Sequence, residues 1–79
     1  MLLAVAAGSD NDPQVVVFER IADKTAPKYA FVGKGVTFDA GGIQIKPGDG
    51  MFDMKMDMAG AAAVVATMWY LDNQKDLPC

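Results

Sequence analysis

The 79-residue sequence contains no histidine and a single cysteine, Cys79. The lack of histidine removes the commonest general base and the commonest metal ligand of proteins. One cysteine cannot form an internal disulfide, so we expect the chain to work in a reducing compartment.

An excess of positive charge and a long hydrophobic run are also missing. The formal net charge is −3 and no basic patch is visible, which argues against nucleic acids and anionic membranes as partners. The longest near-apolar stretch, Met58 to Leu71, has 14 residues interrupted by Thr67 and is too short to cross a bilayer. The segment from Met1 to Ala7 lacks the basic region of a signal peptide. We therefore expect a soluble, cytoplasmic chain.

Apolar residues, in contrast, are abundant for such a short chain. They make up 52% of the sequence, and the mean hydropathy is +0.16. A domain of this size buries only about 60% of the surface that its unfolded chain exposes. The chain thus has more apolar residues than it can easily hide, which indicates self-association or membership of a larger unit.

The local patterns predict an α/β arrangement. A helix end is expected before Gly8, two β-branched or aromatic runs have the length of strands, the tetrapeptide PGDG predicts a turn, and an apolar helix is expected to start near Asp57. In that order, the helix end, the two strands, the turn and the apolar helix cover residues 1–7, 14–20, 29–38, 47–50 and 57–71. The last helix is apolar on nearly every side, so it needs cover all round. The predicted fold is two strands, a glycine-rich loop and one buried helix, forming the first part of a larger α/β unit.

The stretch GKGVTFDAGGIQIKP, residues 33–47, places charges among apolar segments. In a flat strand Lys34 and Asp39 would point to opposite faces, because side chains alternate. They converge only if the backbone bends, and the four glycines of this stretch favour a bend. Judged by spacing alone, a glycine-rich surface turn is the favoured interpretation.

Asp57 and Met54 each allow two interpretations. Asp57 stands directly before the apolar helix and is either its N-cap, the favoured interpretation, or a metal-bound carboxylate. Met54 belongs to a methionine cluster that is either core filling, again favoured, or the wall of an apolar pocket.

Taken together, VGKGVTFDAGGIQIKP and MFDMKMDMAGAAAV closely resemble the first metal-site segment of the leucyl (cytosol) aminopeptidase family. The match is specific in its spacing, since Asp39, Lys46 and Asp57 follow Lys34 at offsets of five, twelve and twenty-three. The resemblance implies a three-layer α/β/α catalytic domain. It also implies metal-dependent removal of N-terminal amino acids from peptides.

The resemblance implies a role for each of these residues. Those matching Lys34, Asp39 and Asp57 bind two divalent ions, zinc or manganese, with Asp39 bridging them. The residue matching Lys46 is the catalytic lysine, which polarises the scissile carbonyl, and Met54 matches a position that lines the substrate pocket. Only a neutral amine can bind a metal, so this role requires the pKa of Lys34 to fall far below its usual value.

The chain also departs from the family pattern. Ala40 stands where the family usually has serine or threonine, which removes a hydroxyl beside the bridging aspartate. A second metal-site segment of the type Asn-Thr-Asp-Ala-Glu-Gly-Arg has no match in the 79 residues. Residues 1–79 are thus expected to be a partial catalytic domain that is inactive alone. The family resemblance also implies that the complete protein assembles as a hexamer. Two alternatives stay open: a non-catalytic association module and a scaffold that binds a cation structurally.

Overall fold

The computed structural model describes residues 1–77, and its regular secondary structure is helical. The elements are α1 (Leu2–Ala6), α2 (Gly48–Phe52), a 3₁₀ turn (Asp53–Met56) and α3 (Ala59–Asp72). The helices predicted before Gly8 and near Asp57 are confirmed. The short helix α2 begins within residues 47–50, where a simple turn was predicted, and the 3₁₀ turn follows in a stretch for which no element was predicted. Cys79 lies outside the described residues.

The predicted α/β fold is wrong for this chain, because residues 1–77 contain no β-strand. The segments 14–20 and 29–38, predicted as strands, have no regular secondary structure, and their backbones form no ladder with each other. A pair of strands is marginally stable without a third strand or a packed face. Within the described residues no third strand is present, and the side chain of Val17 is 75% exposed.

The prediction of a buried helix is also wrong. None of the described residues counts as buried, and Trp69 in α3 remains 72% exposed. Only one face of α3 is half-covered, the face formed by Ala61, Val64, Met68 and Leu71. This face meets the two irregular segments across an apolar groove of about 920 Å³. The helix requires cover all round, and residues 1–77 supply it on one side.

The molecule is elongated, with extents of 48 × 25 × 19 Å and a radius of gyration of 16.5 Å. A compact domain of this length would have a radius of gyration of roughly 12 Å. Arg20, which lines the groove, holds the segment that follows α3, since its guanidinium donates hydrogen bonds to the carbonyls of Gln74 (2.7 Å) and Leu77 (3.2 Å). No helix within residues 1–77 has the length and apolar character needed to span a membrane.

Candidate metal centre

The four charged residues singled out by spacing meet in two ion pairs. The Lys34 ammonium donates a hydrogen bond of 2.8 Å to Oδ1 of Asp57. The Lys46 ammonium lies 3.7 Å from Oδ2 of Asp39. Residues up to 23 positions apart in the chain are thus brought together, although Lys34 pairs with Asp57 and not with Asp39, the residue considered with it in the sequence analysis.

Backbone geometry at two glycines places Lys46 beside Asp39. Gly41 and Gly42 have φ angles of +98° and +69°, which residues with a Cβ atom rarely adopt. The amide of Gly41 donates to Oδ1 of Asp39 at 2.9 Å, and the amide of Lys46 donates to the Ala40 carbonyl at 2.9 Å. The turn therefore closes on itself and brings Lys46, not Lys34, to within ion-pair distance of Asp39.

The 3₁₀ turn places Asp57. Its amide donates to the Met54 carbonyl at 3.2 Å, so the residue ends this turn two positions before α3 begins. The N-cap of α3 is Met58, and no side chain caps the helix. The interpretation of Asp57 as an N-cap is therefore wrong, and its carboxylate points to Lys34 instead.

The pairing holds Lys34 in its charged form. The hydrogen bond to Asp57 is the main cause that raises the pKa of Lys34 above its ordinary value, and the charges of Asp57 and Asp39 act in the same direction. A ligand role requires the opposite change, because the ammonium has no lone pair to donate. A cation that binds here must displace a proton from Lys34.

One atom of this site has no partner. Oδ2 of Asp57 is buried and accepts no hydrogen bond, while the side chain as a whole is only 16% exposed. A buried charged oxygen without a partner is unfavourable, so most such atoms in native proteins are paired with a donor or a cation. The Lys34 side chain, 61% exposed, satisfies only the other oxygen of this carboxylate.

The donor set is compatible with a divalent cation. Asp39 and Asp57 provide carboxylates, which hard divalent cations prefer, and Lys34 provides a nitrogen once it is neutral. Residues 1–77 hold no group of three or more His, Cys, Asp or Glu side chains suited to a metal. Lys34, Asp39 and Asp57 would therefore supply only part of a cation site, and further ligands or water would have to complete it.

A cleft of about 560 Å³ opens beside these donors. Lys34 and Asp39 line it together with apolar residues of segment 36–40 and with Val5 and Ser9 of the N-terminal segment. The contribution of the N-terminal segment was not predicted, and no spacing or motif in residues 1–9 indicates it. Met54 does not line this cleft, although it is half-buried in the 3₁₀ turn next to Asp57.

Comparison with known proteins identifies relatives along nearly the whole chain. A family model described as "Cytosol aminopeptidase family, catalytic domain" matches residues 1–78. A "Probable cytosol aminopeptidase" of Caulobacter vibrioides is 55% identical over 76 residues, which cover 94% of this chain and 15% of that protein. A protein of the same name from Aeromonas hydrophila is 53% identical over 76 residues, covering 96% and 15%. No solved structure matches the chain.

These matches place the chain among the peptidases. More specifically, it belongs to the cytosol aminopeptidase family, which confirms the resemblance drawn from residues 32–47 and 51–64. The chain spans about 15% of the length of the curated relatives that it matches.

Proposed function

We propose that residues 1–79 form the first metal-site part of the catalytic domain of a metal-dependent aminopeptidase. In this proposal Lys34, Asp39 and Asp57 bind the metal, which is zinc or manganese, and a complete site holds two ions. The observation that carries the proposal is the buried, unpartnered Oδ2 of Asp57, because a bound cation would satisfy it. The substrates are peptides, which lose their N-terminal amino acid, and the site of action is the cytoplasm.

The bound ions would act as Lewis acids that polarise the scissile carbonyl. Lys46 is suited to a separate electrostatic role. Its ammonium is about one-third exposed and only loosely paired with Asp39, at 3.7 Å, so it can turn toward a substrate oxygen. A positive charge placed there stabilises negative charge that develops on that oxygen. Met54 would line the pocket for the first side chain of the substrate.

A second candidate function is self-association, and the exposed apolar surface favours it. Val32 is 93% exposed, Trp69 is 72% exposed, and neither has cover within residues 1–77. Monomeric soluble proteins rarely expose continuous apolar patches larger than a few hundred Å². The hexamers implied by the family belong to this proposal as well.

Calorimetric titration with zinc or manganese tests the metal site. We expect the native chain to bind weakly and Asp39→Ala and Asp57→Ala to lose binding. Binding should strengthen as pH rises, since fewer protons then compete for Lys34. Asp49→Ala is the matched control, because Asp49 is an exposed aspartate outside the two ion pairs. Equal binding by all four proteins would contradict the assignment.

A further inference from the structure

Gly33 lies directly against the first turn of α3. A Cβ atom placed on Gly33 would come within 2.5 Å of the Gly60 carbonyl oxygen, 2.7 Å of its carbonyl carbon and 2.8 Å of Cα of Ala61. Real Cβ atoms do not approach backbone atoms this closely, and a helix backbone cannot yield as the end of a long side chain can. The contact between segment 33–35 and α3 is therefore one of backbone against backbone.

A hydrogen bond fixes the position of this contact along the helix. The amide of Ala61 donates to the Lys34 carbonyl at 2.9 Å. Amides of the first helical turn have no partner within their own helix, and no side chain caps α3. The Lys34 carbonyl thus takes the place of a capping side chain. The bond joins the backbone of Lys34 to a helix that starts two residues after Asp57.

We propose that Gly33 and Gly60 are positioning residues for the Lys34–Asp57 pair and, if the proposed function holds, for the metal donors. Their missing side chains let the two backbones touch, and this contact brings the ammonium within 2.8 Å of the carboxylate. A Cβ atom on Gly33 pushes segment 33–35 away from α3 and separates the pair. A Cβ atom on Gly60 meets the Lys34 amide nitrogen at 3.2 Å, so it acts in the same direction but more weakly.

The test measures the pair directly, in the absence of metal. Nuclear Overhauser cross-peaks between the Lys34 side-chain methylenes and the Asp57 β-protons report their distance, and circular dichroism reports helix content. We expect the cross-peaks in the native chain and their loss in Gly33→Ala with helix content retained. Gly48→Ala is the matched control, because the same Cβ atom meets nothing within 4 Å there and Gly48 does not line the cleft beside Lys34. Cross-peaks of native intensity in Gly33→Ala, or none in the native chain, would overturn the proposal.

Gly60→Ala keeps the test decisive if Gly33→Ala loses its helix. Alanine has a higher helix propensity than glycine, so this change favours α3 while it crowds Lys34. We expect helix content at or above the native level together with weaker Lys34–Asp57 cross-peaks. If Gly60 only shapes the helix, the Lys34–Asp57 cross-peaks should be unchanged or stronger in Gly60→Ala. That result would refute the proposal that Gly60 positions the pair.

Zinc titration of the same proteins separates this inference from the proposed function. Loss of supporting contacts around a metal ligand commonly weakens binding by about tenfold or more, which we expect for Gly33→Ala and not for Gly48→Ala. If the native chain binds no zinc but Gly33→Ala still loses its cross-peaks, the positioning contact stands and the metal site fails. If zinc binds the native chain and Gly33→Ala equally, the glycine contact has no role in the site.

Discussion

Removing either partner of the Lys34–Asp57 pair deletes the same hydrogen bond, yet the two deletions should have opposite effects on stability. The carboxylate is largely enclosed and one of its oxygens has no partner, whereas the ammonium is mostly exposed. In Asp57→Ala, water solvates the freed ammonium. In Lys34→Met, Oδ1 of Asp57 loses its partner as well, so that neither oxygen of the enclosed carboxylate has one.

The magnitude for Asp57→Ala follows from three terms. A buried, unpaired polar oxygen costs about 1–3 kcal/mol, and the substitution removes that cost. It also removes the ion pair with the exposed Lys34 side chain, which contributes about 0–1 kcal/mol, and a negative charge near the start of α3, which contributes about 0.3–1 kcal/mol. We therefore expect the free energy of unfolding to rise by about 1 kcal/mol in Asp57→Ala. Lys34→Met should lower it.

Urea unfolding followed by far-ultraviolet circular dichroism provides the measurement, at neutral pH and without metal. The double variant Lys34→Met/Asp57→Ala should recover the stability of Asp57→Ala, because the unpaired carboxylate is then gone. Asp49→Ala serves as the control for removing an exposed aspartate. The reasoning is refuted if Asp57→Ala is destabilised as much as Lys34→Met, since that result would mean that the enclosed carboxylate is well satisfied.

Three further predictions concern hydrolytic activity, self-association and the pKa of one surface carboxylate. We expect no hydrolysis of leucine anilides with added manganese or zinc, because the 79 residues provide only part of a two-metal donor set; turnover that disappears in Lys46→Ala would contradict this. Sedimentation should show oligomers or aggregates, because the apolar groove and α3 remain exposed; a clean monomer would show that they are covered in another way. Hydrogen bonds from Thr25 lower the pKa of Asp23, so this carboxylate stabilises the fold above its unfolded-state pKa and ceases to do so as pH falls through its lower folded-state value. Proton titration by NMR should show that pKa rising toward normal in Thr25→Val.

Two predicted helices and a glycine turn are present in the structure, whereas the two predicted strands are not found in residues 1–77. Helix α3 forms from local bonds within residues 59–72, and the turn at Gly41 and Gly42 depends on φ angles that favour glycine. Both features are encoded in a few neighbouring residues. A strand requires a partner from elsewhere in the chain, and residues 1–77 contain no third segment to pair with residues 14–20 and 29–38.

In the candidate site, too, features set by neighbouring residues were predicted better than contacts between residues far apart in the sequence. The family resemblance, and not spacing alone, led to the expectation that Lys34, Asp39 and Asp57 belong to one site, and the structure joins the four charged residues as two separate ion pairs. The sequence did not predict the contact that Gly33 makes. The sequence indicated that it would favour a bend, whereas in the structure it permits contact with Gly60, 27 positions away. The N-cap interpretation of Asp57 failed because a carbonyl from Lys34 bonds the first turn of α3, and residue types alone do not show such a backbone contact.

The hydrogen bonds of Arg20 have a consequence for the order of events during synthesis. Gln74 and Leu77 follow Arg20 by 54 and 57 residues, whereas Asp57 follows Lys34 by 23. At a ribosome speed of about 5–20 residues per second, the carbonyl partners of Arg20 are made roughly 3–11 s after it, and Asp57 only about 1–5 s after Lys34. All four residues of the two ion pairs are therefore synthesised before the two carbonyl acceptors of the guanidinium. Of these contacts, the hydrogen bonds to Gln74 and Leu77 depend on the part of the described chain that is made last.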